Sequence, residues 1–299
     1  MPNIAVAGAT GRLGHLIVRA LRERGATVTA LLRHSTPPDK RMELGGADIA
    51  EIDYADATSL QQALAGADVV VSALNGLRDI IVDAQTALLN AAVAARVPRF
   101  IPSDYAADLT KLLPGENRNF DLRREFRERL LAAPIASTSI LNGGFMELLL
   151  WGRALDMKAH SVSYWGTPDQ PLDYTTMADV AALTAEAALD ANAPAILRVA
   201  GDVVTNADIA RIAGDITGTP FALNRLGSLD ELAAIIQQER TTHPEAENET
   251  FPRFQQLQYT HNMQSGRGRL EPLDNARYNL KFTSVRDLLT ANAARLTSS

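Results

Sequence analysis

Between the apolar run Ile4 to Ala7 and a stretch with apolar residues at Leu13, Leu16, Ile17, Ala20 and Leu21 lies the segment Gly8-Ala9-Thr10-Gly11-Arg12-Leu13-Gly14. The first run has the composition of a buried strand, and the second repeats at the spacing of one helical face. A glycine segment in that position constrains the chain strongly. Gly8 would permit the tight turn, Gly11 would let backbone amides approach a phosphate, and Gly14 would let the helix lie close on the strand. The exposed amides of the helix N-terminus then stabilise phosphate charge. Thr10, Arg12 and Leu13 complete the loop and are expected to contact the ligand beside the three glycines. The spacing, G-x-x-G-x-x-G, is one residue longer than the commoner G-x-G-x-x-G. An ordinary strand-to-helix turn is the competing reading, and the rest of the chain decides between them.

Strand and helix patterns continue to alternate. Gly25 stands where a left-handed residue commonly closes a helix, and Thr27 to Leu32 reads as a second strand. Strands at 48–52, 67–74 and 99–101 are separated by helices at 59–64 and 79–95. A charged helix at 119–132 leads to a sixth strand at 135–141. Alternation of this kind predicts a parallel sheet. Fully apolar strands such as Val69-Val70-Val71 require helices on both faces. The expected fold is therefore α/β, a Rossmann-like doubly wound parallel sheet with a smaller C-terminal substrate lobe. Residues 1–150 are expected to form the nucleotide-binding domain, with 173–200 returning to it through a helix at 178–189 and a strand at 196–199. Residues 151–172 and 201–299 are expected to form the lobe, with a helix at 206–216, a strand at 221–226 and two further helices around the polar stretch 240–249.

Composition removes several function classes. The chain has 299 residues, a formal charge of −6 and no cysteine. A negative balance offers no field for nucleic acid or anionic lipid. Without cysteine there is no disulfide, thiolate nucleophile or cysteine-ligated metal. The five histidines show no ligand spacing, so no metal is expected. No apolar stretch reaches the ~20 residues that cross a bilayer. Neither a signal peptide nor a membrane span is predicted, and the expected location is the cytoplasm.

The end of the second strand bears on cofactor choice. NAD enzymes place an acid there for the ribose 2′-hydroxyl; this chain has Arg33, with Lys40 and Arg41 behind it. A guanidinium suits a 2′-phosphate, so NADP(H) is preferred over NAD(H), a solvated basic cluster being the alternative. Asp53 after the third strand would contact the adenine region or help cap the next helix. Asn75-Gly76 after the fourth strand would bring backbone near the cofactor or simply turn the chain.

Together with Arg33, Gly-Ala-Thr-Gly-Arg-Leu-Gly and Phe100-Ile101-Pro102-Ser103-Asp104-Tyr105 resemble the NmrA-like, isoflavone reductase-like branch of atypical short-chain dehydrogenases. The resemblance is firmest over the first 150 residues. It extends loosely to Asp173 to Ala181, similar to the family's return helix. It implies an NADPH-binding domain, with Ser103 near the cofactor, and a reductase or a cofactor-sensing regulator. The family's catalytic lysine is missing: Arg123 stands at or near its place. Arginine does not release a proton near neutral pH, though it can stabilise an oxyanion; a solvated helix face with Arg124, Arg127 and Arg129 is the competing reading. No tyrosine is followed by lysine at the fourth position, so a proton would come from Tyr105, water or the substrate. Asn142-Gly143-Gly144-Phe145-Met146 would pass beside the nicotinamide, with Phe145, Met146 and Trp151 lining an aromatic pocket or packing in the core. The expected activity is hydride transfer from NADPH to a small aromatic, enone or quinone-like acceptor. The alternative is an NADP(H)-binding redox sensor that acts on a protein partner without turnover.

Overall fold

The computed structural model describes residues 1–152 and 154–293. Its first half runs β1 (Asn3–Ala7), α1 (Arg12–Glu23), β2 (Thr27–Arg33), α2 (Pro38–Met42), β3 (Asp48–Ile52), α3 (Ala57–Ala63), β4 (Val69–Ser72), α4 (Gln85–Ala94), β5 (Arg99–Ile101), α5 (Arg118–Ala132), β6 (Ala136–Ser137) and β7 (Ser139–Leu141). Six parallel strands follow the order β3-β2-β1-β4-β5-β6. Alternation along each strand divides the core in two, as the two-residue period of a strand requires. Ile4, Val6, Val28, Leu32, Val69 and Val71 pack with Ile17, Val18 and Leu21 of α1. Ala5, Ala7, Leu31, Val70 and Phe100 pack with Leu60, Leu88, Leu89 and Phe126 of the helices on the other face.

The run expected as a single sixth strand changes partner midway. Thr138 N–H donates to Phe100 O, whereas Ser139 N–H donates to Ala195 O, so β6 stays with β5 while β7 turns to a later strand, 196–198. Likewise the helix expected over 79–95 begins as a π-helical turn, Asp79–Ala84, and becomes α-helical only at Gln85. Helical periodicity was visible in sequence; the extra residue in the first turn was not.

The second half contains β8 (Gly144–Phe145), β9 (Leu155–Asp156), β10 (Ser161–Trp165), β11 (Leu172–Thr175), α6 (Met177–Leu189), β12 (Ile196–Arg198), β13 (Asp202–Val204), α7 (Asn206–Thr217), β14 (Ala222–Gly227), α8 (Leu229–Thr242), α9 (Arg253–Gln264) and α10 (Val285–Ala291). Part of it closes the first half: α6 places Val180, Ala181 and Leu183 against α1, and β12 pairs with β7 in parallel. Two small sheets, β14-β10-β9 and β13-β11-β8, build the lobe. Its core gathers Met146, Leu149, Val162, Leu172, Ile209, Val285 and Leu289. The return helix, expected over 178–189, runs from Met177 to Leu189, with Thr176 Oγ1 accepting the Asp179 N–H, and Asp173–Thr175 ahead of it are strand. A side chain that caps in this way stops the helix from extending backwards.

Among the described residues no helix is long and apolar enough to cross a membrane, and no three His, Cys, Asp or Glu side chains gather as metal ligands.

Candidate dinucleotide site

In the sheet order, the chain leaves β1 for β2 on one side and later returns to β4 on the other. The carboxyl ends of β1 and β4 therefore bound a crevice at the point where strand order reverses. Gly8 ends β1 there with φ at 76°. A Cβ on it would lie 2.5 Å from Ala73 O, at the end of β4. A Cβ on Gly14 would lie 2.0 Å from Gly8 O. Both contacts are with backbone, so glycine is required at both positions. Gly11 N–H donates to Gly8 O at 3.0 Å, which curls the loop. Gly11 is also the N-cap of α1, which has neither a side-chain cap nor an acid in its first turn. By contrast, Asp56, Asn117 and Thr176 cap α3, α5 and α6. A glycine cradle below an uncapped helix of positive polarity fits a diphosphate. Thr10 is half-buried in this loop, Leu13 packs against the core below it, and Arg12 is exposed.

Toward the adenosine side, Arg33 ends β2 opposite Ile52 of β3. It is exposed; its carbonyl accepts the Thr36 N–H, but its guanidinium makes no hydrogen bond or ion pair among the described residues. Burial pushes the neighbouring Tyr54 phenol up to about 12, with the Arg33 charge opposing it. The other cations of this cluster are engaged. Lys40 Nζ holds Glu43 at 2.9 Å. Arg41 donates to Thr36 O and His34 O and pairs with Glu51, so it fastens the turn after β2 to β3. Asp53 is exposed, and its Oδ1 accepts the Ala55 N–H at 2.9 Å, a local turn. Among these four residues, Arg33 is the cation free for a ligand.

Beyond β4, Asn75 is exposed at the crevice rim. Ser103, after β5, is buried; its hydroxyl donates to Leu74 O at 2.6 Å and its N–H to Gln85 Oε1. The serine ties the ends of β4 and β5 together. Arg123 is only 9% exposed: Nε donates to Ser103 O at 3.0 Å and Nη1 to Asn119 O at 3.1 Å. That is not a solvated face, and Arg123 holds the loop after β5 in place while Nη2 keeps no protein partner. Arg123→Ala removes the donor to the Ser103 carbonyl, whereas Asn119 O keeps the helical N–H of residue 123. Unfolding free energy is expected to fall by about 1–3 kcal/mol, measurable by denaturant titration.

Sequence reasoning missed the buried group next to it. Asp104 Oδ2 accepts the Ser139 hydroxyl, which in turn accepts from Arg127 Nη1. Burial pushes the Asp104 carboxyl above the usual aspartate range, against the Ser139 hydrogen bond and the Arg123 and Arg127 charges. Nothing in the sequence brings residue 104 to 139. Tyr105 requires a correction: it is buried in the core beside Val180 and Ala181 of α6, where burial pushes its ionisation up. In that packed position its hydroxyl has no hydrogen-bond partner. Asn142 is fully buried, with Nδ2 bonded to Gly143 O.

On the lobe side Met146 is also corrected, being fully buried in the lobe core rather than lining a pocket. Gly143, with φ at 68°, is forced by close approach to β11, a Cβ there falling 2.3 Å from Asp173 O. It borders a partly open cavity of about 20 Å³, the size of one water. Phe145 is half-buried against the core between α1 and α6. A larger opening, about 460 Å³, lies between the glycine loop and the turn Met146–Trp151. Thr10, Gly11, Arg12 and Lys40 form one wall, and Glu147, Trp151 and Met177 form the other. The Arg12 guanidinium sits 5.3 Å from the Trp151 ring centroid, and that tryptophan is 45% exposed. Glu147 is a second group that sequence reasoning overlooked.

A glycine cradle at the switch point of a doubly wound sheet defines a Rossmann-type fold. The sequence model of the NmrA-like family matches residues 2–276, and the chain belongs to that family. Pinoresinol reductase 1 of Arabidopsis thaliana is 28% identical over 262 residues, covering 79% of this chain and 81% of that protein. Among solved structures, AtPrR2 with NADP+ and (+)pinoresinol superposes with a TM-score of 0.79 at 22% identity, covering 97% of this chain and 98% of that one. An NADPH-dependent quinone oxidoreductase from Escherichia coli superposes with a TM-score of 0.74 at 21% identity, covering 96% and 98%. These two likenesses establish the shared fold.

Proposed function

We propose that the protein is an NADPH-dependent reductase acting on a small aromatic, enone or quinone-like acceptor. The observation that carries this reading is the glycine cradle at the switch point with the unpaired Arg33 beside it. The amides after Gly11 hold the diphosphate, and Arg33 engages the ribose 2′-phosphate through a charge-assisted pair. Asp53 lies on the adenine side and Asn75 at the rim of the crevice. Ser103 and Asn142 shape its floor. When bound, the nicotinamide supplies the hydride chemistry; the protein's share is orientation and charge.

Arg123 Nη2 stabilises negative charge that develops on the acceptor oxygen, in the place where the family's lysine stands. With Tyr105 in the core, this arginine does not deliver a proton and water protonates the product. A quinone tolerates that best, because its reduced form protonates readily. Support for a reductase comes from the relatives, whose names describe reduction of pinoresinol and of quinones. The missing lysine favours a second reading, a redox sensor that binds NADP(H) without turnover and signals to a protein partner.

One experiment separates them: NADPH absorbance is followed with a panel of quinones, enones and aromatic ethers, beside a titration of cofactor alone. The reductase reading expects acceptor-dependent oxidation of NADPH. Tight binding with no acceptor turned over would overturn the reductase reading and favour the sensor.

A further inference from the structure

One group in the larger cleft has no part in the proposed hydride chemistry. Glu147 stands in the turn Met146–Trp151, where Oε1 accepts the Met177 N–H at 2.8 Å, at the start of α6. Oε2 is buried and has no hydrogen-bond partner. A buried charged oxygen without a donor is costly, whereas a neutral carboxyl there becomes a donor in search of an acceptor. Burial pushes the carboxyl up from the usual glutamate range; the bond from Met177 opposes this and the nearby Asp179 adds to it. The opposite wall of the same cleft is Thr10, Gly11 and Arg12, the segment that holds the diphosphate in the proposed function.

We propose that Glu147 is a binding residue for the dinucleotide in its neutral form, Oε2–H donating a hydrogen bond to an oxygen of the diphosphate and ribose segment beside Thr10 to Arg12. The inference rests on the glycine loop being a dinucleotide site. A dianionic diphosphate opposes ionisation of Glu147, so the carboxyl's pKa rises further on binding and one proton moves from solvent to Oε2. Affinity is then greatest below the carboxyl's pKa in the free protein, and falls as pH rises through it. The other groups that face Glu147 are Arg12 and His15 from α1, Lys40 from α2 and Glu43 just after it, and Asp179 from α6. Of these His15, whose Nδ1 is buried without a partner, is the side chain to be separated from Glu147 by experiment.

Isothermal titration of the full chain with NADP+, in buffers of differing ionisation enthalpy and across a range of pH, tests this directly. Wild-type protein is expected to take up a proton and to lose affinity with rising pH, at a slope approaching about tenfold in Kd per pH unit. Glu147→Gln is a neutral isostere that keeps a donor. It is expected to bind at every pH with the wild-type's low-pH affinity and without the slope, while His15→Gln keeps the slope. The same ligand throughout cancels titration of the 2′-phosphate, and matching thermal unfolding confirms that the variants are folded. A wild-type slope in Glu147→Gln, loss of the slope in His15→Gln, or failure of Glu147→Gln to bind overturns the proposal while leaving the cofactor site intact. No binding by wild-type protein at any pH overturns both.

Discussion

Gly14→Val is expected to abolish dinucleotide binding and to lower unfolding free energy by about 3 kcal/mol, the upper range for overpacking. The reason lies in what the new side chain meets. A Cβ at residue 14 falls 2.0 Å from Gly8 O, so two backbone segments must separate, and those segments form the phosphate cradle. A second glycine distinguishes this from a general intolerance. Gly25 has φ at 81° but nothing within 4 Å of its ideal Cβ, so Gly25→Ala carries only left-handed strain, about 1–2 kcal/mol, and binding is retained. Fluorescence titration of NADPH with both variants, beside denaturant unfolding, reads both effects. Equal binding by the two proteins would remove the glycine loop from the site.

Arg33→Asp is expected to weaken NADPH binding by about 1.5–3 kcal/mol, the worth of a hydrogen bond to a charged group, or roughly ten- to a hundredfold in Kd. NADH, which lacks the 2′-phosphate, is expected to lose far less. Its neighbours supply a contrast. Lys40 is paired with Glu43 and Arg41 with Glu51, and exposed pairs of this kind carry little net free energy to spend on a ligand. Lys40→Ala is accordingly a weak variant. Equal losses of NADPH and NADH in Arg33→Asp would contradict the preference for the phosphorylated cofactor.

How far the sequence exposes this architecture depends on the range of the forces involved. The step from β1 through the glycine loop to α1 is legible because two periodicities meet at three glycines, and each acts locally. The two-faced sheet is legible for the same reason, in short apolar strands such as Val69 to Val71. Whatever depends on tertiary pairing stays hidden. Residues 136–141 look like a single strand because only the partners β5 and β12 distinguish its halves. Asp173 to Thr175 take strand conformation through pairing with Gly144 and Val203, and the strands of the lobe, several only two or three residues long, carry no period of their own.

The site divides along the same line. Gly8, Gly14 and Arg33 could be assigned roles from loop position and charge. Lys40, Ser103 and Arg123 could not be read fully, since Glu43, the Leu74 carbonyl and the Ser103 carbonyl occupy their donors. Tyr105 and Met146 are apolar enough for either core or pocket, and burial decides for the core. Asp104 and Glu147 stand out only once Ser139 and Met177 are placed beside them.

A crystal structure of the protein grown with NADPH tests the central claim most directly. The account predicts the diphosphate on the amides that follow Gly11, the adenosine across the end of β2, and the 2′-phosphate on the Arg33 guanidinium. A cofactor bound elsewhere, or a glycine loop left empty at saturating NADPH, would contradict it.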